Sequence, residues 1–140
     1  MSVDQMTEGV AKGVLEDVRE DRIVLSIPHT DYQLHLVPTV PAAQLRPKLG
    51  KRVKGTIHAK ALRIHPAKGG GRFIEPVWGT PRIVAGKVLS ADSDRREAVI
   101  DLTVPFVVRT MDEQVFDGIL EPGRLVNFYV ETGCSFTPLG

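Results

Sequence analysis

Short runs of alternating apolar and polar residues dominate this chain, and they predict β-strands. Residues 13–18, 22–27 and 32–37 form three such runs separated by short polar turns, which is typical of hairpins. No window keeps apolar residues at positions i, i+3, i+4 and i+7 for three helical turns. The pattern therefore predicts an all-β protein.

A long strand follows a proline-rich segment. Pro38, Pro41 and Pro47 bracket residues that have room for one helical turn only. From residue 51 to 60 strict alternation predicts one core face and one polar face. Beyond Lys60 the phase changes, which predicts a bulge or bend near Ala61. The core face comprises Val53, Gly55, Ile57 and Ala59, and the polar face comprises Arg52, Lys54, Thr56, His58 and Lys60.

The second part of the chain repeats the first in the same order. Residues 83–91, 98–104 and 106–110 correspond to the three early strands, and Gly86 follows Gly13 by the same 73 positions that separate Gly123 from Gly50. We interpret this as an internal duplication. The predicted division is a flexible N-terminus (1–8), a first β repeat (9–66), a Gly/Pro linker (67–81) and a second β repeat (82–140).

Each repeat has three strands, an irregular loop and a long late strand, an order compatible with a small closed barrel. With the phrase Leu-Gly-Lys-Arg-Val-Lys-Gly-Thr-Ile opening the late strand, each repeat resembles an oligonucleotide/oligosaccharide-binding (OB) fold. The resemblance implies two related OB-like small barrels, either separate or packed as one pseudo-symmetric unit. A single barrel or sandwich built from both halves stays open, because the second repeat has Phe128 where the first has Gly55.

Composition adds few constraints. The chain has 140 residues, 42% of them hydrophobic, and one cysteine, Cys134. A single cysteine provides no intramolecular disulfide, and no run approaches the roughly 18 apolar residues of a membrane span. We expect a cytoplasmic protein.

Charge is distributed unevenly, although the net charge is only +1. Residues 32–91 carry eleven basic groups and a single acid, Glu75, whereas the segments on either side are acidic. No acid occurs from residue 32 to residue 74. So many uncompensated cations favour a negatively charged partner, because exposed ion pairs each recover only about 0–1 kcal/mol.

The leading hypothesis is a non-enzymatic module that binds single-stranded nucleic acid or another polyanion. Alternate strand residues lie about 6.6 Å apart, so a row of cations can follow a phosphate backbone while aromatic rings, Tyr32 included, stack on bases. The candidate binding residues are Arg52, Lys54, His58, Lys60, Arg63, Arg72, Phe73 and Trp78. The alternatives for these groups are a solvated strand face that prevents aggregation at an edge and, for Trp78, a plug between the two halves.

The main competing hypothesis is a protein-interaction or self-assembly module, including a homo-oligomer, that uses complementary acidic and basic halves. The polar-face positions of the first repeat correspond to Leu125, Asn127, Tyr129 and Glu131, where the basic charge is lost. Leu125 and Tyr129 favour a protein contact at that face.

Catalytic and metal chemistry have weak support. The four histidines match no ligand spacing, and Asp92-x-Asp94 lacks the glycine and distal glutamate of a calcium loop. Cys134 has no neighbouring base in sequence, and Lys68-Gly-Gly-Gly-Arg72 lacks the Walker spacing. We therefore expect no enzymatic activity, no metal and no cofactor.

Overall fold

The computed structural model describes residues 6–69 and 71–139, and the protein is all-β, as predicted. Most of the strands coincide with the alternating runs of the sequence. In the described residues they are β1 (Val10–Val18), β2 (Ile23–Ser26), β3 (Gln33–Pro38), β4 (Arg52–Pro66), β5 (Phe73–Glu75), β6 (Trp78–Gly79), β7 (Ile83–Asp92), β8 (Glu97–Asp101), β9 (Pro105–Arg109), β10 (Leu125–Val130) and β11 (Ser135–Pro138). A single helical turn, α1 (Ala42–Leu45), lies in the proline-rich segment, and 3-10 turns cover Arg46–Lys48 and Glu113–Phe116.

The strand pairings close the sheet on itself as a β-barrel. One ring of five strands runs β1-β2-β3-β11-β4 and returns to β1. A second ring runs β4-β9-β8-β7-β10 and returns to β4. We call these the first and second rings. Closure leaves few strand edges unpaired, whereas an open sheet would expose the edges of its outermost strands.

Strand β4 belongs to both rings. Its N-terminal half pairs with β1 and β11, and its C-terminal half pairs with β9 and β10. The register of β4 with β10 shifts between Val130, opposite Ala61, and Tyr129, opposite Arg63. The extra residue, Leu62, confirms the predicted bulge and lets one strand change its buried face as it passes from one ring to the other.

Each ring is closed by a strand from the other part of the chain. In the first ring β11 lies parallel to β3 and antiparallel to β4. In the second ring the C-terminal half of β4 lies parallel to β9 and antiparallel to β10. The pairings therefore cross the boundaries at residues 66 and 82 that the sequence predicted.

Equivalent hydrogen bonds recur with residue numbers shifted by 73. The amide of Gly50 donates to the carbonyl of Leu15 at 2.7 Å, and the amide of Gly123 donates to that of Val88 at 2.8 Å. Both glycines have positive φ, 79° and 91°, a region that favours glycine. The bulge between Leu15 and Asp17 in the β1–β2 pair likewise has its equivalent between Val88 and Ser90 in the β7–β8 pair.

Phe136 and Phe128 fill much of the interior of the first and second rings from different strands, and Phe106 on β9 is fully buried as well. Phe136 on β11 packs over Gly55, and Phe128 on β10 occupies the position equivalent to Gly55. Both phenylalanines are at most 2% exposed. The two rings thus differ in which strand supplies this large side chain.

The predicted linker contains short strands. Phe73–Glu75 pairs with β7, and Trp78–Gly79 pairs with β3. Two contacts of Ile74 hold this segment against the barrel. Its side chain is buried, and its backbone N–H donates a hydrogen bond to the Tyr32 hydroxyl. Of the predicted flexible N-terminus, residues 1–5 lie outside the described residues, as does Gly70 of the linker. No helix among the described residues has the length and apolar character that a membrane crossing requires.

Candidate functional site

The outer face of β4 carries the cations as the alternation predicts. Val53, Ile57 and Ala59 are at most 6% exposed, whereas Arg52 and Lys54 are exposed. His58 and Lys60 are exposed on the same side, and Thr56 is half-buried. The sequence therefore predicted correctly which side chains of this strand leave the core.

Lys12 joins these cations from the neighbouring strand. It lies directly opposite Lys54 in the antiparallel β1–β4 ladder, where side chains of opposed residues are only about 5 Å apart at Cβ and like charges destabilise the pair. The charge pattern of the sequence did not predict Lys12 as a binding residue, because this lysine lies in the otherwise acidic first 31 residues. We call Lys12, Arg52, Lys54, His58 and Lys60 the basic face.

No residue of the basic face forms an ion pair with another residue that the structure describes. The ion pairs between described residues involve other cations: Arg19, Arg22, Arg46, Arg72, Arg95 and Arg96. The charges of Lys12, Arg52 and Lys54 are thus uncompensated among the residues that the structure describes.

A cavity of about 420 Å³ opens at the Arg52 end of the basic face. Its walls come from β1, the β2–β3 turn, the start of β4 and the β8–β9 turn, and no acidic residue lines it. Lys12, Arg52, Lys54 and His29 supply its polar groups together with Thr103, while Ile27, Pro28, Val53 and Val104 supply apolar surface. We call it the cationic cavity.

Two residues of the cationic cavity have unusual backbone conformations. His29 has φ 64° and Thr103 has φ 87°, and among described residues other than glycine only Arg96 shares this region. Positive φ in a β-branched residue is a genuine outlier, and such strain tends to collect at functional sites. The Thr103 hydroxyl is also buried and has no hydrogen-bond partner among the described residues.

Arg72 does not line this cavity but binds Asp101, the residue that holds the Thr103 turn. Its guanidinium donates to Asp101 Oδ2 at 2.5 Å, and the Asp101 side chain is only 6% exposed. The other carboxylate oxygen, Oδ1, accepts from the amide of Thr103 at 3.0 Å. Arg72, which the sequence selected for contact with a polyanion, therefore neutralises the carboxylate that fixes the strained turn.

A second cavity, of about 320 Å³, lies at the Lys60 end of the basic face. In the β8–β9–β4 sheet the side chains of Glu97, Arg109 and Lys60 stand in one row, and Glu131 completes the wall beside Lys60. Cations and acids alternate there. A polyanion is therefore attracted more strongly to the acid-free end of the face.

Cys134 also lines this second cavity but is only 2% exposed. Burial raises the pKa of its thiol to about 11, so at neutral pH the sulfur is protonated and a poor nucleophile. No group of three His, Cys, Asp or Glu side chains suited to holding a metal ion occurs within the described residues.

The aromatic candidates differ in accessibility. Trp78 is 70% exposed, and its Nε1 donates to the carbonyl of Asp31 at 2.9 Å. Asp31 belongs to the same β2–β3 turn that carries His29 into the cationic cavity. Phe73 is half-buried on β5, and the Tyr32 hydroxyl accepts from the amide of Ile74 at 3.0 Å. Trp78 is thus the ring most available for stacking.

Arg63 lies on the outer face of the second ring, apart from the cationic cavity. It is exposed and stands opposite Tyr129, which is 55% exposed, and next to Leu62, which is 64% exposed. This part of the surface is mixed aromatic, aliphatic and cationic.

No protein family model matches the chain, and no curated protein sequence matches it significantly.

Proposed function

We propose that this protein is a non-enzymatic binding module for single-stranded nucleic acid or another polyanion, held on the basic face. The observation that carries the proposal is the acid-free cluster of Lys12, Arg52 and Lys54, which has no ionic partner among the described residues. Neutralising phosphates with such cations releases condensed counterions and supplies sequence-independent affinity. Trp78 on β6, which is hydrogen-bonded to the β2–β3 turn of the cavity, adds a stacking surface.

We further propose that the chain is a duplicated OB-like unit whose two copies exchange their fifth strands. What supports this is the recurrence of bulges, glycine turns and ladders at a shift of 73 residues. In each ring the strands also close in the order of an OB fold, with the third and fifth parallel. OB domains commonly bind oligonucleotides on the face of strands 2 and 3, whereas the basic face lies on β1 and β4. The functional proposal therefore rests on the site rather than on the fold.

Titration of labelled single-stranded DNA and RNA, followed by fluorescence anisotropy at several salt concentrations, tests the binding proposal. With about four phosphates neutralised, log affinity should fall with log salt at a slope of about −3. The triple variant Lys12→Gln, Arg52→Gln, Lys54→Gln should flatten that slope by about 2, because about 0.7 counterions are released per contact on a single strand.

A charge-matched control separates this site from general attraction to a basic protein. The triple variant Lys68→Gln, Lys87→Gln, Arg124→Gln removes the same charge from exposed positions outside the basic face. It should leave the slope nearly unchanged. Absence of binding at low salt, or equal losses in the two triple variants, would contradict the proposal.

A protein-interaction or self-assembly module remains the second candidate. It is favoured by the exposed Leu62 and Tyr129, which lie close together on the outer face of the second ring, since neighbouring exposed apolar side chains are typical of interaction sites. Light scattering across a salt series checks it, because assembly between acidic and basic halves should dissociate as the screening length falls below about 10 Å. A monomer at every salt concentration would exclude such self-assembly.

A further inference from the structure

We propose that the cationic cavity binds a phosphomonoester, such as the terminal phosphate of a nucleic-acid strand or the phosphate of a free mononucleotide. This inference deepens the proposed function and rests on it for the arm that concerns nucleic acid. The cavity shares Lys12, Arg52 and Lys54 with the basic face, but it is a recess walled by four separate chain segments, whereas the rest of the basic face is an open strand surface.

The charge of the cavity suits a compact dianion. Lys12 and Lys54 oppose each other across the ladder, and Arg52 lies two residues from Lys54 on the same side of β4. A phosphomonoester carries a charge of about −1.5 to −2 at pH 7 and three acceptor oxygens, whereas an internal phosphodiester carries one negative charge. An anion between the two lysines converts their mutual repulsion into two attractions.

The Thr103 hydroxyl supplies a neutral donor. It is buried, it has no hydrogen-bond partner within residues 6–69 and 71–139, and it belongs to a turn whose strained conformation is fixed by Asp101. A hydroxyl donates one hydrogen bond, and a bond to an ionised phosphate oxygen is stronger than one to a neutral acceptor. The turn thus adds a residue with an unused donor to the lining of the cavity.

The remaining walls fit the part of the ligand that carries the phosphate. Ile27, Pro28, Val53 and Val104 provide apolar surface, against which a sugar or base edge can pack. A volume of about 420 Å³ lies within the range of small-ligand sites, roughly 300–1,000 Å³. We therefore assign the cations and Thr103 to the phosphate and the apolar wall to its organic substituent.

Calorimetric and anisotropy titrations with matched ligands test the assignment. The probes are inorganic phosphate, AMP, adenosine, and one decanucleotide prepared with a 5′-phosphate, with a 3′-phosphate or with neither. We expect AMP to bind and adenosine not to bind, and one of the phosphorylated decanucleotides to bind at least about tenfold more tightly than the unmodified strand. Thr103→Val should reduce the advantage of the terminal phosphate at least about fivefold, while the unmodified strand binds as before.

Thr56→Val is the matched control. This threonine lies on the same face of β4 as Arg52 and Lys54, but it does not line the cavity. If Thr103→Val proves unfolded by circular dichroism, His29→Asn provides the same comparison, because His29 lines the cavity but lies outside the basic face, and asparagine tolerates its positive φ. Equal binding of the three decanucleotides, without binding of AMP, would overturn the cavity assignment and leave the proposed function standing. Binding of AMP without binding of any decanucleotide would support the cavity as a site for free phosphomonoesters and overturn the proposed function.

Discussion

At the residue scale, Gly55 decides how the first ring is filled. A Cβ atom at this position would lie 2.4 Å from the ring of Phe136 and 2.5 Å from the carbonyl oxygen of Thr137. Neither β11 nor the ring can move away without disturbing the core. At Gly55 the space inside the ring is taken by the side chain of Phe136 on β11. In the second ring the corresponding residue of β10 is Phe128, which supplies the large side chain itself.

We predict that Gly55→Ala lowers the free energy of unfolding by about 1–3 kcal/mol, the usual cost of overpacking a core. Urea denaturation followed by circular dichroism measures it. Gly69→Ala is the control, because nothing lies within 4 Å of a Cβ there, and its effect should stay within about 0.5 kcal/mol. Equal denaturation midpoints for the two variants would contradict the close approach of Phe136.

Individual residues also show how far the sequence could lead to the site. The alternation along β4 correctly predicted that Arg52 and Lys54 are exposed, because the period of two depends only on neighbouring residues of one strand. It could not select Lys12 or Thr103, because these residues reach the cavity only through long-range pairing and through a backbone conformation that side-chain type does not reveal. Arg72 was selected from its charge alone, and its acidic partner Asp101 stands 29 residues further along the chain.

At the scale of elements, β11 is the strand that closes the first ring, and Cys134 lies immediately before it. The pKa of the buried thiol is raised to about 11 from an ordinary value of 9.0. This difference corresponds to about 100-fold less thiolate at a given pH. Reaction of Cys134 with an alkylating reagent therefore requires β11 to detach or the whole barrel to unfold.

We predict that the native protein at pH 8 is alkylated at least about 100-fold more slowly than the protein in guanidinium chloride, as measured by mass spectrometry. Thr39→Val removes hydrogen bonds from Thr39 Oγ1 to β11 and should accelerate the native reaction about 2–10-fold, given about 0.5–1.5 kcal/mol per bond. Thr30→Val is the control, because it removes a comparable hydrogen bond in the β2–β3 turn. It should leave the rate of alkylation of the native protein unchanged. Equal rates in the native and unfolded protein would contradict the burial of Cys134.

The sequence did not predict β11 as a strand. Residues 135–138 are too few to show a period, and the stretch ends on a proline. Its conformation is imposed by pairing with β3 and β4, which lie about 100 and 80 residues earlier in the chain. By contrast, β1 to β4 and β7 to β9 have longer or more regular alternation, and they were predicted with small errors at their ends.

At the scale of the whole molecule, the exchange of closing strands makes the two rings interdependent. A fragment of residues 1–69 contains four strands of the first ring but lacks β11, and a fragment of residues 70–140 contains four strands of the second ring but lacks β4. Each fragment alone leaves two strand edges of its ring unpaired, a condition that promotes aggregation.

We predict that neither fragment folds alone and that an equimolar mixture recovers the circular dichroism spectrum of the intact chain as a one-to-one complex. A full-length protein cleaved after Gly69 once folded is the control, because it has the same chain break without a separate folding step. A folded, monomeric 1–69 fragment would show that the first ring does not need β11.

Closure of the first ring by β11 also orders events during synthesis. The ribosome makes β1 to β3 first, yet their ring stays open until Ser135–Pro138 has emerged. Until then the edges of β3 and β4 are exposed on the nascent chain, and the pairs to be formed are far apart in sequence, which slows folding. The first ring therefore closes only after the last strand of the second ring, β10, has been made, so that both rings close at nearly the same stage of synthesis.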